Sequence, residues 1–357
     1  VELQLWGACV YVCLDMVRSK RKPPTIVDVA RVAGVSLPTV SRVLTGSTPV
    51  RDVTRDRVLA AIAELGFRPN GAARALVQGQ QSIIGVITPD TSAYGYSRML
   101  LSIEKRARET GYLVAITVVD PGILIDSVKA LDVLLGQPIA GVIVLDYSTY
   151  GSQRLRESLI GIPVSTVMHG DDEELDVAHV QVDDRRAAVA MTEYLLALGH
   201  RTVHHVSVPG RGGRAHIREV AWRQVLTEAG ATIPATVPAA DWSVASGLAA
   251  GAQLALDPDV TAVFCANDEL AFGVMRSLHD AGRRVPEDVS VCGIDDVPLA
   301  EAVVPSLTTY RLEFDWAGTA AFDLLIDPSG VPAIAGSSSH LIVRESTAAP
   351  RGETRAG

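Results

Sequence analysis

The sequence predicts an all-α helix-turn-helix headpiece followed by an α/β body of two lobes, each a doubly wound parallel sheet. Three observations predict it. Residues 17–79 carry a net charge of +7 and residues 80–357 carry −14, so a small basic head precedes an acidic body. Two short helical patterns joined by a glycine-containing turn fill residues 25–44, the spacing of a helix-turn-helix. From Ser82 onward, short β-rich runs alternate with helices of roughly ten to fifteen residues, the pattern of parallel strands with right-handed crossovers. Composition agrees, since 48% of the 357 residues are apolar and only 5% aromatic, which suits helices packed on parallel sheets.

The chain opens on an apolar stretch, Val1 to Asp15, followed by Met16 and the basic cluster Arg18-Ser-Lys20-Arg21-Lys22. An export signal has these in the reverse order, with the basic residues first. Residues 1–22 therefore read as an N-terminal extension, with natural translation starting at Met16. No apolar run is long enough to span a bilayer, so the expected location is cytoplasmic, with no membrane partner. Of the four cysteines, Cys9 and Cys13 stand four apart without a nearby histidine or cysteine, and Cys265 and Cys292 lie far away. Reduced thiols are expected, with no metal and no cofactor.

The headpiece spans 23–68. Thr25 three residues before Asp28 is a variant capping box, and Ile26, Val29, Ala30 and Ala33 repeat at helical spacing. Gly34 can take the left-handed backbone that ends a helix. Ser36 then caps Leu37–Leu44, with Pro38 in the tolerant first turn. Val40, Val43 and Leu44 face inward, which leaves Leu37, Pro38, Ser41 and Arg42 for the outer face. Such a second helix can enter the major groove of DNA. A third helix over Asp52–Leu65, with Val58, Ile62 and Leu65 on one face, closes the core and ends at Gly66.

The run Ile26-Val-Asp-Val-Ala-Arg-Val-Ala-Gly-Val-Ser-Leu-Pro-Thr-Val-Ser-Arg-Val-Leu44 resembles the headpiece of the lactose-repressor (LacI/GalR) family. The resemblance continues through Phe67-Arg-Pro-Asn70 and Ala72-Ala-Arg-Ala-Leu76, similar to that family's hinge helix and placed here over 69–80. It extends more loosely from Ile84 to Arg344. It implies a palindromic double-stranded DNA operator bound by a homodimer. Leu37, Pro38 and Arg42 match base-reading positions, and Arg42 suits a bidentate contact with guanine. Thr25, Thr39, Ser41 and Thr54 match phosphate contacts. Thr45 stands where the family usually has asparagine, Asn70 would cap the hinge helix, and Leu76 matches the leucine wedged into the minor groove.

The body spans 81–346. Strands are expected at Ile83–Ile87, Tyr112–Val119, Gly141–Leu145, Val164–Met168, Thr202–Val208, Ala262–Cys265 and Val289–Cys292. Helices are expected at Met99–Thr110, Arg186–Leu198, Ile217–Ala229 and Glu269–Ala281, and the pattern restarts after Val180-Gln-Val182. Ligands of open α/β sheets bind beyond the carboxyl ends of the strands, where Asp90, Asn267-Asp268 and Asp295-Asp296 fall. The body is also similar to periplasmic sugar-binding proteins. By that resemblance Arg218, Trp242, Asn267 and Asp295 match effector contacts, and Tyr96 offers a second stacking face. The effector implied is a polyhydroxylated small molecule, a sugar before a purine or a sugar phosphate. Asp268, Asp295 and Asp296 also suit helix or turn caps, and Trp242 also suits the core.

Other function classes fit less well. Pro209-Gly-Arg-Gly-Gly-Arg214 lacks the ending of a phosphate loop. His204 and His205 point to opposite faces of a strand, so with His200 they make no metal cluster. A glycosidase built on Asp268, Asp295 or Asp296 would leave residues 25–76 unexplained, so no enzyme is expected. A sugar-binding protein without a regulatory role shares the body but lacks use for the basic head. No heptad-bearing helix follows Arg344, and residues 347–357 read as a disordered tail.

Overall fold

The computed structural model describes residues 24–45, 48–67, 83–119, 124–145, 153–168, 177–210, 216–329, 334–335 and 338–351. The N-terminal extension and the expected hinge helix, with Asn70 and Leu76, lie outside them. The chain divides into two compact units, one up to Gln80 and one from Gln81 onward.

The first unit holds α1 (Ile26–Ala33), α2 (Leu37–Thr45) and α3 (Asp52–Leu65). Thr25 and Asp28 form the expected capping box. The Thr25 amide and hydroxyl donate to the Asp28 carboxylate at 2.9 and 2.8 Å, and with Arg31 they lower its pKa to about 2. Gly34 ends α1 at φ 61°, and a Cβ there would meet the Arg57 guanidinium at 2.8 Å. That guanidinium donates to the Ala33 carbonyl at 2.5 Å, closing an otherwise open helix end. Val29, Ala30, Ala33, Val40, Val58, Ala61 and Phe67 make the core.

The second unit has two lobes. The first contains β1 (Ile83–Thr88), α4 (Tyr94–Glu109), β2 (Leu113–Val118), α5 (Leu124–Leu135), β3 (Ile139–Val144), α6 (Gln153–Ser158), β4 (Val164–Met168) and β5 (Ala178–Val182). The second contains α7 (Asp184–Ala197), β6 (His204–Ser207), α8 (Ile217–Glu228), β7 (Val237–Pro238), α9 (Val244–Ala255), β8 (Ala262–Cys265), α10 (Asp268–Asp280) and β9 (Ser290–Cys292). Then follow α11 (Leu299–Ala302), β10 (Thr309–Arg311), α12 (Phe314–Ile326), β11 (Ile334–Ala335) and β12 (His340–Ile342).

One sheet runs β11-β5-β4-β3-β1-β2 and the other β7-β6-β8-β9, every pairing parallel. β10 and β12 form an antiparallel ribbon that continues the second lobe through a bridge from Cys292 to Thr308. The chain passes between lobes after β5, between β10 and α12, and between β11 and β12. One buried cluster runs through both lobes, joining Ile84, Met99 and Phe322 to Trp222 and Phe264 by way of Tyr310 and Leu312.

Several elements differ from expectation. α4 begins at Tyr94 rather than Met99, so Tyr96 is helical. The alternating pattern does not end at Cys292, because α12 returns to cover the first sheet and β11 extends it. α9 and α12 escaped the periodicity argument because both are rich in alanine and glycine or aromatics and lack a polar face of helical width. Residues 347–351 are not a free tail. Thr347 Oγ1 lies 3.0 Å from the Tyr194 hydroxyl, the Ala348 carbonyl accepts from Ser290 Oγ at 2.9 Å, and Arg351 pairs with Asp288 at 3.0 Å.

The α9–α10 contact depends on glycine. A Cβ on Gly273 would fall 2.5 Å from the Leu248 amide nitrogen and 2.6 Å from the Gly247 carbonyl carbon, both backbone. Neither can give way, so Gly273→Ala is expected to lower stability by about 1–3 kcal/mol. A urea midpoint unchanged from the parent would show that the two helices can separate freely.

Candidate functional site

In the first unit, α2 presents two different faces. Val40 is fully buried while Leu37 is 43% exposed, and Pro38 and Arg42 are exposed as well. Pro38 and Arg42, four residues apart, share one outward face, and Leu37 borders it. Thr39 and Ser41 are half-buried at its edge, and the Thr39 and Ser36 hydroxyls share a hydrogen bond at 2.9 Å. Thr54 sits in the first turn of α3. The Thr25 hydroxyl proton is taken up by Asp28, so this residue caps α1 before it can serve a phosphate. Thr45 ends α2, and its side chain lies outside the described set, as do Asn70 and Leu76.

In the second unit, the segments after β6, β7, β8 and β9 bring Arg218, Trp242, Asn267 and Asp295 together, Arg218 from the first turn of α8. Arg218 is 4% exposed. Its Nε and Nη2 donate to Asp184 Oδ1 at 2.9 and 2.6 Å, and its Nη1 donates to the Ala266 carbonyl. Asp295 Oδ1 lies 3.5 Å from Nη2, and the guanidinium sits 5.4 Å from the Trp242 ring centre. Burial opposes this cation, but Asp184 and Asp295 outweigh it and keep Arg218 charged. Trp242 is 37% exposed, with the His216 ring edge-on at 5.2 Å, so it is a partly open stacking face rather than core. Asn267 caps α10 through the Leu270 amide at 3.0 Å, and its amide donates to Glu269 at 2.7 Å and the Trp242 carbonyl at 3.2 Å.

Asp295 and Asp296 follow β9 at φ 119° and 52°. Two consecutive non-glycine residues with positive φ mark a strained turn held by its surroundings. Part of that hold is the Asp295 amide on the Tyr310 carbonyl at 2.9 Å. Arg311 Nε and Arg344 Nη2 grip Asp296 at 2.8 and 2.6 Å. Burial pushes the Asp296 carboxyl up, but the Arg344 and Arg311 bonds prevail and lower its pKa. Asp268 accepts from Thr309 Oγ1 at 2.6 Å and from the Val297 amide at 2.9 Å, and burial, reinforced by Asp295, pushes its carboxyl well up. Asp268 and Asp296 thus brace the second lobe, as their alternative reading as caps and turns allowed.

A cavity of about 490 Å³ opens beside this cluster, its lining including Asp295, Asp296, Leu312, Tyr94 and Phe314, so that of the four clustered residues Asp295 faces it and Arg218, Trp242 and Asn267 stand behind. Its size suits a small molecule, and residues from both lobes and the segment between them line it. Tyr94 and Phe314 meet edge to face at 6.2 Å. The expected aromatic, Tyr96, packs instead against the core. Asp90 closes an Asx turn ahead of α4, accepting from the Ser92 amide at 2.6 Å and the Ser92 hydroxyl at 2.7 Å. Sequence reasoning passed over Tyr94, Phe314 and Asp184. Only Asp184 had a signal, its place directly after a strand that ends at the interlobe crossing.

Among the described residues, no three His, Cys, Asp or Glu are grouped to hold a metal, and no helix is long and apolar enough to cross a membrane.

A small bundle with an exposed second-helix face, and a body of two hinged parallel-sheet lobes around a cavity, define a helix-turn-helix regulator with a solute-binding body. Residues 25–70 match the lacI family of bacterial regulatory proteins and residues 192–347 match the periplasmic binding protein-like domain. The chain belongs to the lacI family. It is 31% identical over 339 residues to the lactose operon repressor of Escherichia coli (strain K12), covering 93% of each chain. The solved lac repressor dimer, bound to operator and the anti-inducer ONPF, superposes with TM-score 0.81 at 30% identity, covering 92% of this chain and all of that one. The regulator CelR in complex with cellobiose aligns with TM-score 0.63 at 30% identity, over 90% of this chain and 99% of that one. These relatives are transcription regulators rather than enzymes.

Proposed function

We propose that this protein is a sequence-specific DNA-binding repressor, cytoplasmic and homodimeric, controlled by a polyhydroxylated effector held between the lobes of its body. One observation carries the reading. The outer face of α2 is left exposed by a helix whose inner face packs into the bundle core through Val40, Val43 and Leu44, in the same chain as a two-lobed body with a cavity between its lobes. A solute-binding role alone gives no use for that face. Arg42 reads guanine, Leu37 and Pro38 contribute apolar contact and shape, and Thr39, Ser41, Thr45 and Thr54 set register on phosphates. Asn70 and Leu76 serve the hinge, with Leu76 the minor-groove wedge. Related proteins supply the effector class, since the solved CelR complex holds cellobiose. Effector and operator affinities are then thermodynamically linked.

Fluorescence anisotropy with the full chain tests this on a palindromic site recovered by in vitro selection. Specific binding is expected, with affinity falling steeply as salt rises. Arg42→Ala should weaken it by about 1–3 kcal/mol and relax the preference at one base pair. Equal affinity for random DNA at every salt concentration would refute the sequence-specific reading.

A further inference from the structure

The buried cation beside Asp295 and Trp242 is already taken. Arg218 presents its Nε–Nη2 edge, the edge that chelates a phosphate or carboxylate, to Asp184. Its Nη1 is on the Ala266 carbonyl. Asp184 is 1% exposed and opens α7, directly after the chain leaves the first lobe. One positive charge therefore faces two carboxylates, Asp184 and Asp295. Among the described residues the cavity is also lined by Arg98, Arg311 and Arg344, but Asp315 holds the first and Asp296 the other two, and with Asp295, Glu301 and Glu313 the lining carries more carboxylates than guanidiniums. Burial favours the protonated forms of Asp268 and Glu269 and the neutral form of His205, while His216 stands against the Trp242 ring.

We propose that Asp184 sets the charge class of the effector: by occupying Arg218 it closes the cleft to phosphorylated and acidic sugars and reserves it for polyols without negative charge. The proposal rests on the interlobe cleft being the effector site. An incoming anion would have to displace a buried carboxylate from the guanidinium that balances its charge, an unfavourable exchange. A neutral ring needs no such exchange, because it can lie against the half-open face of Trp242 with its hydroxyls toward Asp295.

Inorganic phosphate is the probe, titrated into the full chain at constant ionic strength, with tryptophan fluorescence and melting temperature as readouts. Wild type is expected to show no saturable response. Asp184→Asn keeps the shape and an acceptor oxygen while removing the charge, and should saturate with a Kd of about 1–10 mM. Asp184→Asn combined with Arg218→Gln should lose that response. Saturation of wild type in the same range, or a folded Asp184→Asn indistinguishable from wild type, overturns the proposal. Should Asp184→Asn fail to fold, wild type still decides, through a panel of aldoses each matched to its 6-phosphate. Tighter binding of any phosphorylated partner refutes the assignment, whereas phosphorylation that never improves binding supports it. Operator binding by the same preparations is read separately. Its absence would remove the regulator reading without touching the phosphate result.

Discussion

Arg218→Met is expected to destabilise the body by about 3–5 kcal/mol, the cost of leaving a buried carboxylate without its counter-charge. The substitution removes the guanidinium that pairs with Asp184, which has 1% exposure, that donates to the Ala266 carbonyl, and that Asp295 and Trp242 face. The double variant Asp184→Leu/Arg218→Met should recover most of that loss, because two apolar groups of similar volume demand no pairing. Urea denaturation followed by tryptophan fluorescence measures both, with Trp222 reporting from the same lobe. A single variant within about 1 kcal/mol of wild type would mean that water reaches Asp184 and that the pair is not a sealed strut.

Acid should weaken the second lobe through His205. This imidazole is fully buried between the rings of Trp222 at 5.3 Å and Phe264 at 4.7 Å. Its Nδ1 donates to the Phe264 carbonyl at 2.8 Å, and Nε2 has no hydrogen-bond partner among the described residues. Burial, with smaller repulsion from His216, Arg218 and Arg223, lowers its pKa from 6.5 to about 3. A histidine held neutral in the fold takes up its proton first in the unfolded chain. Its effect on stability is therefore nil above pH 6.5 and grows steadily more unfavourable as pH falls toward 3, on the order of 5 kcal/mol in total. His200 and His204, whose pKa values burial also lowers, act in the same direction. His205→Phe keeps the stacked ring and removes the titration, so stability between pH 6.5 and 4 should fall less steeply, by about one proton's worth. An unchanged slope would place the acid sensitivity elsewhere.

The headpiece was almost wholly legible because its determinants are local. A cap, a left-handed glycine and a 3.6-residue period each act within one turn of chain, and Thr25, Gly34, Val40 and Gly66 stand where those rules put them. The parallel sheets of the body were legible for a similar reason, strand by strand, since Ile83–Thr88 and Ala262–Cys265 carry enough apolar residues to name themselves. α12 was not, because a helix buried on several sides loses the polar stripe that periodicity detects, and α9 was not, because Val244, Leu248 and alanines occupy even its exposed face. The packing of residues 347–351 was hidden too, since it depends on partners such as Tyr194 and Ser290 far away in sequence.

The cleft divides in the same way. Position beyond strand ends was enough to select Asn267 and Asp295, the family resemblance added Arg218 and Trp242, and the structure brings the four together. Whether their polar groups remain available to a ligand is a different question, settled only by what surrounds them. The sequence alone determined a basic three-helix reader, an acidic two-lobed α/β body and the strand ends where ligand chemistry collects. Tertiary structure alone decided that Arg218 is neutralised by Asp184, that Tyr94 and Phe314 rather than Tyr96 line the cavity, and that Asp268 and Asp296 are braces. Hydrogen-bond partners and burial depend on residues tens to hundreds of positions apart, and no periodicity or local motif encodes those distances.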